Sequence, residues 1–340
     1  MATIMPAWSQ VHPSFVEPEL LIQINQFSGA FDTLAEGKPR VKLGEGDLAV
    51  YIRRIDLRTR VAAGQTAYNQ LPSCDIVGST INTPTYLQRV RAEYDHHDTA
   101  AAANYNVSIV DAHRLAMRQG HFQLMRDALL FGMNPTNGEG LLNATGATTV
   151  NLPPDSFGNT TVVTYDNGQM AFWLLGQVQS LKTSTYQLGA GRTIVILGPQ
   201  RALAQWEYSG IVQLTQYQRT GAGTASTAGL FKEVLLANGD KVIWCYDDTL
   251  QGKGPNGADV VLMVMPEVGQ PTGAIPNTNE FGKLPNGMYM NTLMYTDMAA
   301  PREIPTPLAG GAIDVLSEIR ISSGWAVRPE GVRILYMLYQ

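Results

Sequence analysis

The sequence predicts a protein of mixed α+β class built from more than one unit. Its 340 residues exceed an ordinary compact domain, so we expect one elaborated unit or two linked ones. Hydrophobic residues make up 44% of the chain and charged residues 16%, which excludes a disordered chain or a coiled coil as the main state. Strand-like alternation and helical periodicity occupy separate stretches, and 33 Gly with 19 Pro place much of the backbone in turns and loops.

Charge and cysteine content exclude several functional classes. With 24 Lys and Arg against 29 Asp and Glu, the net charge of −5 provides no global basic surface for nucleic acid. Cys74 and Cys245 alone cannot form a disulfide framework or a zinc site, which favours folding in a reducing cytosol. The first residues lack the features of a signal peptide and no apolar run approaches 18 residues, so we expect a soluble, unsecreted protein without a membrane span.

The N-terminal quarter predicts an arm followed by a projecting hairpin. Residues 1–40 mix apolar residues with prolines, which favours an extended arm. Residues 47–58 alternate apolar and polar side chains, predicting a long strand that allows a bulge at its adjacent arginines. A second strand is expected over residues 84–94, and the polar, glycine-bearing residues 61–83 between the two strands are typical of an exposed tip.

The strongest helix signal begins at Ser108, which forms a capping pair with Asp111. An apolar stripe continues to Phe131, and Gly132 supplies a left-handed stop. At about 1.5 Å per residue the helix is on the order of 35 Å long, enough to span the subunit as a spine.

The middle of the chain predicts an α/β region. Asp166 and Gln169 cap a second helix, and a buried-type strand at residues 193–197 precedes a short helix that ends near Trp206. Later segments are predicted as a flexible loop at 221–229, a hairpin at 232–246 turning at Asn238-Gly239, a strand at 260–265, a return connection at 266–287, and closing strands at 319–321, 325–327 and 332–338.

Histidines offer the first candidates for metal chemistry. His96, His97 and Asp98 are adjacent, match no standard metal spacing, and are better explained as a polar helix start. His113 and His121 share one helix face but lie about 12 Å apart along the axis, so they cannot hold one ion by themselves. We expect core or interface histidines.

Acidic and thiol candidates are equally weak. Asp247 and Asp248 form a potential acid pair, but a solvated loop after the predicted hairpin explains them better. Cys74 lies in the predicted hairpin tip with no local base, and no nucleotide-binding or serine-nucleophile motif occurs. The sequence therefore predicts no catalytic residue, cofactor site or metal site.

One cluster of charge stands out on the predicted hairpin. Arginines on its two strands either solubilise an exposed edge or anchor an interface, because guanidinium pairs bidentately with carboxylates and tolerates desolvation. The six candidates for inter-subunit contact are Arg53, Arg54, Arg58, Arg60, Arg89 and Arg91.

The order of arm, hairpin, spine helix, α/β insertion and closing strands resembles the HK97-like fold of tailed-bacteriophage major capsid proteins. Two segments carry the resemblance: the helix 108–131 with Gly140-Leu141-Leu142-Asn143 after it, and the closing strands 318–338. The layout that it implies is an N-terminal arm at 1–40, an extended loop at 41–94, a peripheral domain at 95–165 and 280–340, and an axial domain at 166–279.

This resemblance implies a non-enzymatic structural subunit that forms the hexamers and pentamers of an icosahedral head around packaged double-stranded DNA. The implied partners are further copies of the chain, a separate scaffolding protein, a portal and a decoration protein, with no sequence-specific DNA binding and no membrane. The implied location is the virion, after assembly in the host bacterial cytoplasm. Residues 47–95 contain no lysine, so we expect none of the lysine cross-links that some relatives form on this loop.

Two other functions stay open on the sequence alone. One is an encapsulin-like compartment of the same fold that encloses a cargo enzyme. The other is a metal-dependent hydrolase that uses His96, His97, His113 and His121, or the pair Asp247 and Asp248.

Overall fold

The structure is a computed structural model. It describes residues 34, 39–58, 75–103, 108–187, 191–208, 227–268 and 289–340. Most of the expected arm, the centre of the hairpin tip with Cys74, and most of the return connection lie outside these residues.

The helices named below lie between residues 96 and 237, with runs of strands before and after them, in agreement with the α+β prediction. The helices are α1 (His96–Ala103), α2 (Ile109–Leu130), α3 (Asn167–Ser184), α4 (Gln200–Tyr208) and α5 (Thr227–Ala237). The strands are β1 (Arg40–Val41), β2 (Ala49–Arg58), β3 (Asp75–Tyr94), β4 (Thr148–Asn151), β5 (Thr193–Gly198), β6 (Lys241–Tyr246), β7 (Asp259–Val264), β8 (Glu267–Val268), β9 (Tyr289–Met290), β10 (Thr292–Leu293), β11 (Tyr295–Thr296), β12 (Arg302–Pro307), β13 (Ile313–Ser322), β14 (Trp325–Ala326) and β15 (Val332–Met337).

The first sheet has the order β1-β11-β13-β3-β2, with β12 also paired to β13. Strand β3 belongs to two antiparallel ladders: Asp75–Pro84 pairs with β2, and Thr85–Tyr94 pairs with β13. The predicted second strand of the hairpin thus begins at Asp75, well before residue 84. Residues 75–83 include several β-branched side chains, which favour strands. This segment therefore extends the ladder and does not belong to the tip.

The two strands of the hairpin keep one register along their whole length. Arg53 lies opposite Thr80, and Arg54 lies opposite Ser79. In a bulge, two residues of one strand lie opposite a single residue of the other. Each residue of β2 has one partner here, so the ladder contains no bulge at the two arginines, where the sequence allowed one.

The second sheet has the order β4-β15-β7-β5-β6 and holds most of the core. Residues of β5 and β7 are buried on both faces, as their continuous apolar runs predict. One face packs against α3, α4 and α5 through residues such as Leu174, Trp206 and Phe231. The other face packs against the end of α2 and its following loop, through Leu129 and Leu141.

The predicted hairpin at residues 232–246 is wrong. Residues 227–237 form α5, and β6 then pairs in parallel with β5, which makes a strand–helix–strand crossover. Phe231 and Leu235 lie one helical turn apart and are both buried, so tertiary packing selects the helix. Gly239 has φ +75° and follows the last turn of α5. Asn238-Gly239 therefore ends a helix here, and does not form a hairpin turn.

Local capping signals predicted the two long helices. The Ser108 side chain accepts a hydrogen bond from the Asp111 backbone N–H, and Asp166 accepts one from Gln169 in the same way. With 22 residues, α2 is about 33 Å long. The expected stop is also confirmed, because Gly132 has φ +71°. Within the described ranges, no helix combines the length and hydrophobicity that a bilayer span requires.

Candidate functional site

The candidate site is the projecting ribbon formed by β2 and residues 75–84 of β3. In the part of the chain that the structure describes, no third strand pairs with this ribbon. Exposed side chains lie along it: Leu48 just before β2, then Tyr51, Thr80, Asn82 and Pro84. A two-stranded ribbon is marginally stable in water by itself. Its conformation therefore depends on contacts at its base and on whatever covers its faces.

The six predicted arginines divide between the two strands. Arg53, Arg54 and Arg58 lie on β2, and their side chains are outside the described part, as is all of Arg60. Arg89 and Arg91 lie on the other half of β3, where it pairs with β13.

Both arginines on β3 have carboxylate partners within the subunit. Arg89 Nε is 3.3 Å from Glu318 Oε2, and Arg91 Nε is 2.7 Å from Asp314 Oδ1. The hydrogen bond from Arg91 to Asp314 raises the pKa of Arg91. Both guanidinium groups stay more than half exposed, and each has further N–H donors. Contact with a second subunit remains a prediction for these residues.

A buried carboxylate, Glu139, fixes the base of the ribbon. It lies in the loop after α2 and is fully buried. Its oxygens accept hydrogen bonds from β3, from its own loop and from the segment after β13: Thr83 Oγ1 at 2.9 Å, the Tyr86 hydroxyl at 3.0 Å, the Asn134 backbone N–H at 2.9 Å, Asn137 Nδ2 at 3.2 Å and Ser323 Oγ at 2.6 Å. One side chain thus joins the ribbon to two other parts of the subunit.

These hydrogen bonds determine the ionisation of the cluster. Burial raises the pKa of Glu139, but the hydrogen bonds that it accepts, led by Ser323 and Asn137, lower the pKa by more, so it lies below its ordinary value. Burial, with the hydrogen bond to Glu139 and the charge of that carboxylate, raises the pKa of Tyr86 to about 12. At neutral pH the cluster consists of a carboxylate and a neutral phenol.

We expect the contribution of Glu139 to stability to be lost in acid. Its pKa is lower in the folded chain than in the unfolded chain, so the stabilisation is complete above about pH 5 and falls as pH drops through the unfolded value near 4.3 and the lower folded value. Urea unfolding of Glu139→Gln and the natural chain should show a gap in free energy of unfolding at neutral pH that narrows toward about pH 4. Glu45→Gln, at an exposed position, is the control without such a gap. A pH-independent gap for Glu139→Gln would contradict the expectation.

Two glycines bring the loop of Glu139 against the end of α2. Gly132 and Gly140 have φ values of +71° and +84°, and the backbones there touch so closely that a Cβ on Gly140 would lie 2.4 Å from the Gly132 nitrogen. The Gly140 N–H donates to the Gly324 carbonyl at 2.9 Å. The spine helix, the loop and the end of β13 therefore meet at backbone contact distance, with Glu139 fixed between them.

Solved structures match the fold of this chain over nearly its whole length. A chain from the capsid of Myoviridae phage XM1 is 12% identical, with a TM-score of 0.63 over 99% of this chain and 100% of that one. The capsid of an empty GTA particle gives 9% identity and a TM-score of 0.55, over 97% and 96% of the two chains. The capsid structure of cyanophage P-SCSP1u is 10% identical, with a TM-score of 0.55 over 96% of this chain and 93% of that one.

The chain has the fold of phage capsid proteins. The HK97-like capsid fold predicted from the spine helix and closing strands is thereby confirmed. No protein-family model matches the chain, and no curated protein sequence does either.

Within this capsid fold, the histidines have structural surroundings. His96 and His97 begin α1, with ring centroids 3.9 Å apart. His113 stacks on Tyr94, and buried His121 lies 3.1 Å from Ser317 Oγ through its Nε2. Burial lowers the pKa of His121, more than the contact with Ser317 raises it. Across the described ranges, no group of three or more His, Cys, Asp or Glu residues is arranged to hold a metal ion.

The two adjacent aspartates differ from their predicted setting. Asp247 is buried, and its Oδ1 accepts a hydrogen bond from the Thr249 backbone N–H, whereas Asp248 is exposed and accepts one from Gln200. The prediction of a solvated loop holds for Asp248 and is wrong for Asp247. The Asp247 backbone N–H donates to the Gly198 carbonyl at the end of β5, which holds this residue in the interior. Cys245, one of the two cysteines, is buried in β6.

The role of Glu139 is not predictable from the sequence. Gly140-Leu141-Leu142-Asn143 indicates its loop, but the donors to its carboxylate lie up to 184 residues away in sequence. The only local signal is a charged residue between two glycines, Gly138 and Gly140. Flanking glycines allow close backbone packing, which can bury the residue between them.

Proposed function

We propose that the chain is the structural subunit of an icosahedral bacteriophage head, and that it self-assembles into hexamers and pentamers around packaged double-stranded DNA. The observation that carries the proposal is the projecting ribbon of a chain with the capsid fold. The ribbon is held at its base by Glu139, yet the face that carries Tyr51 and Asn82 is exposed to solvent. A neighbouring subunit beneath or above the ribbon would supply the cover that the subunit lacks.

The fold supports the same proposal. Its neighbours are chains of capsids, matched over nearly their full lengths, so the whole chain has a counterpart in an assembled shell. We extend to it the layout of arm at 1–40, extended loop at 41–94, peripheral domain at 95–165 and 280–340, and axial domain at 166–279. The extended loop then contains β2 and β3, and with them the exposed ribbon.

Electrostatics is compatible with an enclosed genome. The net charge of −5 leaves packaged DNA without a strongly attractive lining, so sequence-specific DNA contact is not part of the proposal. The proposed partners are further copies of the chain, a separate scaffolding protein, a portal and a decoration protein. The proposed setting is assembly in the host bacterial cytoplasm and residence in the virion, with no catalytic role.

Imaging of the assembled product tests the proposal. The chain, expressed alone and with its neighbouring gene products, should form isometric particles in negative stain, and particles from the native host should contain double-stranded DNA. Particles that enclose a protein cargo and no nucleic acid would favour the compartment alternative. A chain that stays monomeric under all these conditions would contradict the proposal.

A shortened chain tests the role of the ribbon. Replacing residues 53–80 with Asn-Gly joins Ile52 to its ladder partner Ile81 through a two-residue turn and keeps the hydrogen bond from Thr83 to Glu139. We expect a folded subunit that keeps the helical circular dichroism signal and the cooperative unfolding of the natural chain but forms no particles. Normal particles from the shortened chain would show that the ribbon is dispensable for assembly.

A further inference from the structure

The outer face of α3 carries a continuous exposed stripe without charge. Its residues are spaced by three or four positions, so they share one side of the helix and continue one turn beyond its end. Together with an exposed phenylalanine in the preceding loop, they form what we call the aromatic stripe: Phe157, Phe172, Gly176, Gln179, Thr183 and Tyr186.

The three rings of this stripe face solvent. Phe157 is 81% exposed, Phe172 is 78% exposed and Tyr186 is 63% exposed. Ser156 and Gln169 exchange hydrogen bonds at 3.0 and 2.5 Å, which hold Phe157 beside the first turn of α3. At roughly 150 Å² per ring, the stripe offers on the order of 450 Å² of aromatic surface, about half of what one partner buries in a standard interface.

The backbone at Tyr186 adds an independent observation. Tyr186 has φ +56°, a left-handed conformation that costs a side chain of this size about 1–2 kcal/mol. Asparagine adopts this conformation more readily, and glycine adopts it freely. The backbone conformation therefore does not favour tyrosine at this position. The exposed ring of Tyr186 also contributes little to packing within the described subunit. Strain of this kind is characteristic of functional positions.

The charge around the stripe selects the class of partner. From Ser156 to Thr185 the only charged residues are Asp166 and Lys182, and the one guanidinium seen to donate to α3 in the described part of the chain, that of Arg333, is buried against Gln177. Asp166 caps α3, and Lys182 Nζ lies 2.8 Å from Asp240 Oδ2, so both charges have partners within the subunit. Nucleic acid would require cations on this face. Two copies of a chain with net charge −5 repel each other least across a neutral face, which favours a second copy of the same chain.

We infer that the aromatic stripe is a contact surface on which a second copy of this chain packs. The inference rests on the proposed self-assembly and specifies one surface that carries it. Phe172 is the central ring, with Phe157 and Tyr186 toward the two ends of α3, and Gly176 leaves open space for an incoming side chain.

Substitution of the central ring tests the contact. Phe172→Glu places a charge on the neutral face, and we expect at least a tenfold loss of particles with an unchanged unfolding temperature, because Phe172 is exposed. Phe172→Leu keeps an apolar side chain and should remain within about twofold of the natural chain. Leu236→Glu introduces the same charge at an exposed leucine of α5 outside the stripe, and should also remain within twofold. Full assembly of Phe172→Glu would overturn the inference.

Tyr186→Asn distinguishes the effect of this residue on subunit contact from its effect on folding. Asparagine relieves the left-handed strain, so the variant should be as stable as the natural chain or more stable, while losing the ring should reduce particle yield severalfold. A merely structural tyrosine would change stability and assembly in the same direction. Parallel changes in both readouts would count against the inference.

Sedimentation velocity of all variants distinguishes failure of the inference from failure of the proposed function. If the natural chain forms no particles but associates more strongly than Phe172→Glu, the stripe is a self-contact and the shell proposal fails. If the natural chain forms particles and Phe172→Glu does so equally well, the shell proposal stands and the inference fails. If both chains remain monomeric at every concentration, both fail.

Discussion

Replacing Gly140 with alanine is expected to lower the free energy of unfolding by about 4 kcal/mol or more. A Cβ at this position would lie 2.4 Å from both the Gly132 nitrogen and the Phe131 carbonyl carbon. These are backbone atoms, so no side-chain rotation can make space. The φ of +84° adds conformational strain for any residue other than glycine. Urea unfolding of the purified subunit, with soluble yield as a second readout, measures the effect.

Gly120 supplies a matched control for this substitution. It lies in the middle of α2, and a Cβ there would meet nothing within 4 Å. Gly120→Ala should therefore raise the free energy of unfolding by up to about 1 kcal/mol, since alanine loses less backbone freedom in a helix. The same chemical change then has opposite signs at two glycines. Equal effects of the two substitutions would show that the close contact at Gly140 is wrong.

Glu139→Ala is the second change for which we expect a large effect, about 3–5 kcal/mol in free energy of unfolding. Removing the carboxylate leaves donors from Thr83, Tyr86, Ser323 and the Asn134 backbone without their acceptor in a buried site. Hydrogen bonds to a charged group contribute about 1.5–3 kcal/mol each, and they do not add fully.

In Glu139→Ala, we expect local opening around the lost hydrogen bonds to increase more than unfolding of the whole subunit. Hydrogen exchange should accelerate first at Asn134, whose N–H binds Glu139 directly, and in the neighbouring part of β3 around Thr83. Glu45→Ala, at an exposed carboxylate, should stay within about 0.5 kcal/mol of the natural chain. A Glu139→Ala subunit with natural stability and natural exchange at Asn134 would rule out its role as the anchor of the ribbon.

Features that depend on neighbouring residues in sequence were predictable. The caps at Ser108 and Asp166 act over three residues, so the starts of α2 and α3 could be predicted from the sequence alone. The apolar runs of β5 and β7 likewise indicate strands buried on both faces. The resemblance to the capsid fold rested on the spine helix with the loop after it and on the closing strands, which are also local signals.

Features that depend on distant residues were not predictable. Asn238-Gly239 is compatible with a hairpin turn and with a helix end, and only the burial of Phe231 and Leu235 against the second sheet decides between them. The burial of Glu139 depends on Ser323, which is far away in sequence. The aromatic stripe has the composition of a core helix, and only the packing of α3 shows which of its sides remains uncovered.

The continuity of β3 has a mechanical consequence. A single strand of 20 residues runs from the exposed ribbon into the sheet that packs beneath the spine helix. A strand paired along its whole length is stiff, so a force applied near Asp75 is transmitted along β3 to β13. The ladder changes partner between Pro84 and Thr85, and proline donates no backbone hydrogen bond there. At the same point the Thr85 N–H donates to the Leu48 carbonyl, and the Arg320 guanidinium donates to both the Asp47 carbonyl and Thr85 Oγ1. A displacement of the ribbon therefore reaches the sheet through side-chain and backbone hydrogen bonds as well as through the strand itself.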